Sequence, residues 1–523
     1  MLLKGQSMTA VSFATGIHHV TLITRSVQDN VDFYVGFLGL QLVKRTGGFE
    51  DSQQLHLFYG NADAEPGTLV TFLVWEDGAP GRVGNGQVSE IAFSVPQNTI
   101  GEWMTWAISH RVPVEGPLHE FGETVLRLKD PDGIIVKLVG NSTTATTEKD
   151  GGPDLVVRRL RAVTILTEAP EETAAFIQRF GYRRGPMSGA IQRILSDTDA
   201  VDIRDATGYV PGLPGTGTAD HVAFRVADVS AVRAAEEELS KRNSSPTNFH
   251  DRKYFTSLYV REPGGTLIEL ATDGPGFAID EAPGHLGEGL FVPPHDETRA
   301  EDIKVMLPQF SMPGQPRMPR RDLPFVHRFF VPAEPSDETI ILLHGSGGSE
   351  ADLMPFSHRI APQAMLLGVR GRANEEGVSR WFRRFSSTSF DQEDIRAEAA
   401  AFAAFVEGAV SAYHLDTNRL VFLGLSNGAN FIAALMALHP ELIRRAILLR
   451  PMQVLEDAPV ADLTGSSVLM VSGRQDLAAP SARRLEAWLK QSSCDVTSHF
   501  IDAGHGLSDQ DLPLAQAWMR GAG

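Results

Sequence analysis

A chain of 523 residues is too long for one hydrophobic core, so roughly two to four domains are expected. Apolar residues make up 42 % and charged residues 21 %, an ordinary globular balance, while the net charge of −18 disfavours nucleic acid or an anionic membrane surface as partner. Cys494 is the only cysteine, which excludes an internal disulfide and fits a cytoplasmic location, and no run approaches the ~18 apolar residues of a membrane span. The opening residues lack a basic start followed by an apolar run, so no signal peptide is expected, and Met8 is an alternative start to Met1.

Along the chain a pattern repeats. His19 to Ile23 reads as a strand. A helix-like stretch follows, with Ser26 as its N-cap and Val31, Phe33, Tyr34, Phe37 and Leu38 as its apolar positions. Further strands lead to Gly67–Phe72. The pattern restarts at Glu90 and closes at Gly133–Leu138. It restarts again at Ala162, with the least distinct closing strand. The last copy runs from His221 to Gly265–Leu270. The reading is four βαβββ modules, an α+β fold, with modules 1 and 2 in residues 1–150 and modules 3 and 4 in 151–280. Residues 281–324, rich in Pro and Gly, read as tail and linker. From 325 to 523 strands alternate with helices: Thr339–Leu343, Arg419–Leu423 and Ser467–Val471 are apolar strand runs. That rhythm predicts an α/β domain with a mainly parallel sheet.

Side chains alternate faces along a strand. Val222 and Phe224 then pack under the helices, while His221 faces a cup, and Glu269 does the same on the closing strand. In module 1 the equivalent positions are His19 and Thr71; alternation sends His18 to the packed face with Val20. Modules 1 and 4 together offer two imidazoles and one carboxylate. Such a set, with coordination positions left open, is what a non-haem Fe(II) oxygenase uses. Modules 2 and 3 offer Glu90, Lys137 and Ala162, and the cation of Lys137 argues against a metal there. His56 and His250 read as structural or peripheral.

The stretch Asp251–Gly265, together with Ala271–Phe277, resembles the vicinal-oxygen-chelate superfamily, and within it the extradiol ring-cleaving dioxygenases that act on hydroquinones. The resemblance spans about residues 16–300. It implies Fe(II), with Mn(II) as the alternative, held by His19, His221 and Glu269. It also implies supporting roles for Thr21, Arg252 and Tyr259: Tyr259 donating to a bound oxygen species and Arg252 stabilising an anionic ring. Where many members carry another histidine, this chain has Asp220. The implied partners are a small aromatic diol and O2. A quinone- or drug-binding front half without turnover is the alternative, and a homo-oligomer is compatible with the sequence.

Gly424-Leu425-Ser426-Asn427-Gly428 lies between a predicted strand and a predicted helix, the context of a nucleophile elbow. Asp476 and then His505 follow, giving the chain order Ser, Asp, His. His344–Gly348 ends the first strand, where an oxyanion-hole loop belongs, so the amides of Ser346 and Asn427 are the expected donors. These features, with Arg380-Trp381-Phe382, make residues from about 325 to 520 similar to the phospholipase/carboxylesterase branch of the α/β-hydrolases. The similarity implies hydrolysis of a small ester or thioester.

Overall fold

The computed structural model describes residues 16–143, 148–149, 152–153, 155–242, 248–318 and 321–521. The chain divides into two units: residues 1–298 with 310–316, and residues 299–309 with 317–523. Among the described residues no helix is long and apolar enough to cross a membrane.

In the first unit all four modules are complete. Their opening strands are Ile17–Thr24, Gln87–Pro96, Leu160–Thr167 and Ala219–Val226. Their closing strands are Leu69–Val74, Ile135–Asn141, Ala200–Asp205 and Leu267–Pro275. Modules 1 and 4 share a nine-stranded sheet; modules 2 and 3 share an eight-stranded one. Within a module the opening and closing strands run parallel, and the two opening strands of each sheet run antiparallel. The helices cover one face. Tyr34 from the first helix packs on Phe72 with centroids 4.5 Å apart, and Val20, Val222 and Ile268 are fully buried on that side. Alternate residues therefore line the opposite, concave face. Within 281–324, Leu290–Phe291 adds an edge strand to the first sheet and Ala300–Met306 is a helix of the second unit.

The second unit is a seven-stranded sheet. His327–Phe330 pairs antiparallel at one edge, and Met365–Val369, Thr339–Leu343, Leu420–Leu425, Arg445–Leu449, Ser467–Gly473 and Asp495–Ile501 follow in parallel. Ile341 and Leu343 enter one core and Ile340 and Leu342 the other, so both faces are covered. This is why the strands read as continuous apolar runs.

Candidate functional site

Strand register brings the three distant donors of the first unit together. Thr21 lies opposite His221, His19 opposite Ala223, and Ala223 is in turn paired with Glu269. His19, Thr21, His221 and Glu269 thus share the concave face across three adjacent strands. Glu269 Oε2 is 3.1 Å from His19 Nε2 and 2.7 Å from His221 Nε2, and the two Nε2 atoms are 3.4 Å apart. All three side chains are buried. Among the described residues they are the one group of three or more His, Cys, Asp or Glu ligand atoms within 4.8 Å of one another.

Each donor is held from behind. Asp220 Oδ2 accepts from His221 Nδ1 at 2.7 Å, which leaves Nε2 facing the cup. His19 Nδ1 meets His18 Nδ1 at 2.9 Å, which turns His19 Nε2 inward. Ser257 Oγ donates to Glu269 Oε1. Thr21 Oγ1 touches His221 Nε2 at 2.9 Å and also Thr71 Oγ1 at 2.9 Å, and His56 Nε2 continues the chain to Thr71 at 3.0 Å.

Burial and mutual pairing set the charges of the three donors. Burial opposes ionisation of Glu269, yet the neighbouring imidazoles hold its carboxyl well below the usual range. Burial lowers His19, and Glu269 offsets it only in part. Burial would also lower His221, but hydrogen bonds to Asp220 and Glu269 outweigh it and raise the group to about 9. Glu269 Oε2 is buried without a hydrogen bond of acceptable geometry, although two ring nitrogens point at it. A divalent ion at their convergence satisfies all three atoms, so the residues fit a metal.

A cavity of about 250 Å³ opens above the triad. Phe49, Phe58, Phe255 and Leu73 form apolar walls, and Arg252, Tyr259 and His56 supply polar groups. The Arg252 guanidinium lies over the rings of Phe49 and Tyr259, at 5.2 and 5.4 Å, and pairs with Glu50 at 3.3 Å. Burial and the Glu269 charge keep the Tyr259 phenol protonated, so it is a donor. Desolvation and the nearby imidazoles push His56 down to about 3, so it is neutral and a poor base.

Two expectations need correction. His18 is not simply a packed-face residue. A register shift between Ile17 and His19 sets both rings against Phe255, where His18 orients His19. His56 is not peripheral, because it lines the cavity and reaches His221 through two threonines. Ser257 is marked in the sequence only by its alternation with Tyr259 on one strand.

The second unit presents a separate constellation. Gly424 and Gly428 permit the elbow: a Cβ on the first would lie 2.6 Å from Ala429 N, and on the second 2.0 Å from Leu343 O. Ser426 takes φ 52° and ψ −113°, a strained conformation for a residue with a side chain. Its Oγ is 2.8 Å from His505 Nε2, and His505 Nδ1 is 2.8 Å from Asp476 Oδ2. The Asn427 side chain accepts from Trp381 N at 2.9 Å, and the Trp381 indole donates to His344 O at 2.9 Å, pinning the two loops that carry Ser346 and Asn427. Sequence reasoning missed Arg450. Fully buried, it donates to Gly504 O and Gly506 O at 2.9 Å each, on either side of His505, and pairs with Asp511 at 2.8 Å.

Comparison with known proteins finds relatives of both halves; for the second, a Bacillus subtilis (strain 168) protein named "Putative hydrolase MhqD" is 32 % identical over 189 residues, 36 % of this chain and 94 % of that protein. The model of the Glyoxalase/Bleomycin resistance protein/Dioxygenase superfamily matches residues 16–138. A Bacillus subtilis (strain 168) protein named "Putative ring-cleaving dioxygenase MhqO" is 34 % identical over 304 residues, 57 % of this chain and 97 % of that protein. The chlorohydroquinone/hydroquinone 1,2-dioxygenase of Sphingobium indicum is 32 % identical over 305 residues, 55 % of this chain and 94 % of its own length. The solved carboxylesterase of Mesorhizobium loti is 41 % identical, covering 38 % of this chain and 96 % of that one, with a TM-score of 0.38.

Proposed function

We propose that this chain, which belongs to the glyoxalase/bleomycin resistance protein/dioxygenase superfamily through its N-terminal half and continues as an α/β-hydrolase, is a bifunctional enzyme. The first unit cleaves the ring of a hydroquinone or catechol with O2. The second hydrolyses a small ester or thioester.

The observation that supports ring cleavage is the His19–His221–Glu269 convergence, with both Nε2 atoms turned on Glu269 Oε2, beneath a cavity of aromatic walls. These residues would hold Fe(II), which would supply Lewis acidity and a point of attachment for substrate and O2. The protein does the rest. Asp220 fixes the tautomer of His221. The aromatic walls hold a flat apolar ring and exclude water. Arg252 offers its guanidinium to an anionic diol. Tyr259 donates a hydrogen bond from a phenol that keeps its proton. His56 positions Thr71 and takes no proton near neutral pH.

In the second unit Ser426 Oγ attacks the acyl carbon as His505 Nε2 takes its proton. Asp476 holds the other imidazole nitrogen and stabilises the imidazolium that forms. The amides of Ser346 and Asn427 receive the oxyanion, each worth on the order of 10²–10³ in rate. His505 then protonates the leaving group, and water completes hydrolysis by the reverse transfer.

Two assays test the reading. After anaerobic Fe(II) loading, substituted hydroquinones and catechols are expected to drive O2 uptake with formation of ring-opened acids; an absence of uptake across the panel contradicts ring cleavage. Ser426→Ala is expected to cut ester turnover by roughly 10⁴–10⁶-fold, and unchanged turnover would reject Ser426 as nucleophile.

A further inference from the structure

The sheet of modules 2 and 3 repeats the cup of modules 1 and 4 with different side chains. Thr164 lies opposite Glu90 as Thr21 lies opposite His221, so Glu90 takes the place of His221. Ala162 lies opposite Ala92 as His19 lies opposite Ala223, so Ala162 takes the place of His19. Lys137 pairs with Ala92 as Glu269 pairs with Ala223. The three donor positions therefore hold Glu, Ala and Lys.

An ion network fills the floor of this second cup. The Lys137 ammonium is 2.7 Å from both Glu90 and Glu120, and Arg193 pairs with Asp202 and Glu123 at 2.7 Å each. Beside this network, reaching it only at Glu90, lies a cavity of about 370 Å³, closed on its other side by Leu22 and residues 217–219 and within the size range of small-ligand sites. Ile135, Leu166 and Tyr209 give it apolar wall; Arg127, Lys129 and Arg204 bring positive charge. Register again relates the two cups. Arg127 lies opposite Lys137 as Tyr259 lies opposite Glu269, and Arg204 occupies the place of Leu73.

Charge is unbalanced here. Glu90 is the one acidic residue lining the cavity, and it is already paired with Arg127 and Lys137. Among the described residues neither Arg204 nor Lys129 lies within ion-pair distance of a carboxylate. Arg204 also lies close enough to Arg127 for their like charges to repel, which adds to burial in weakening the proton affinity of Arg127. An anion would relieve that repulsion, and a planar carboxylate matches the guanidinium fork.

We propose that this second cavity binds a small organic carboxylate, its apolar body against Ile135, Leu166 and Tyr209 and its carboxylate on Arg204 and Lys129 beside Arg127. The site is separate from the metal cup and does not rest on ring cleavage. Calorimetric titration of the full chain with benzoate, with cis,cis-muconate and with neutral benzamide tests it. At least one of the two carboxylates is expected to bind, and to bind equally well in His221→Ala, where the metal cup is disabled. Benzamide is expected to bind about tenfold more weakly or worse. The double variant Arg204→Gln with Lys129→Gln, both at positions not fully buried, is expected to lose about tenfold or more in affinity. No heat from either carboxylate up to about 10 mM would overturn the proposal. So would binding that vanishes in His221→Ala, or binding left unchanged by the double variant.

Discussion

Asp220 shows how a single side chain sets a ligand. Its carboxylate accepts a hydrogen bond from His221 Nδ1, which turns the other nitrogen towards the cup and restrains the ring. Asp220→Asn removes the charge but not the shape. We expect metal affinity to fall about 10–100-fold, measured by competition with a chelator; unchanged affinity would show that the strand alone orients His221. At this scale the convergence of His19, His221 and Glu269 was legible because alternation along a strand and a repeated module placed them on equivalent positions. His18 and His56 were not. A register shift overrides alternation for the first, and a chain of two threonine hydroxyls carries the second to His221.

At the scale of elements, duplication with divergence explains why one cup fits a metal and its copy does not. Lys137 puts a fixed cation where the first cup has a carboxylate, and two glutamates depend on it. Lys137→Met leaves Glu90 and Glu120 with one buried partner fewer. A loss of roughly 3–5 kcal/mol is expected in denaturant unfolding of the first unit, and a loss under about 1 kcal/mol would mean the network is dispensable. In the second unit the loop carrying His505 is held by Arg450, which spans two carbonyls while paired with Asp511. Arg450→Lys keeps the charge but cannot bridge both carbonyls. Ester kcat is expected to fall on the order of 10²-fold with KM little changed, and an unaltered kcat would show that the loop holds itself. The elbow could be read from its glycines and its place between strand and helix. Arg450 could not, because its partners lie more than fifty residues away and are main-chain oxygens that leave no mark on composition.

For the whole molecule, the change from period-two modules to alternating strands and helices was visible in sequence, and the contact pattern divides the chain into two units. The helix Ala300–Met306 was hidden in a stretch read as linker because its seven residues give too few turns for a clear period. On the proposed function each unit has its own reacting groups, so removal of metal is expected to silence O2 uptake and leave ester turnover intact.

Metal content after anaerobic Fe(II) reconstitution and desalting tests the central claim most directly. The native chain is expected to retain about one ion, and His19→Ala, His221→Ala and Glu269→Ala are each expected to retain almost none while still hydrolysing esters. Full iron retention in all three variants would contradict the assignment of these residues as the metal site.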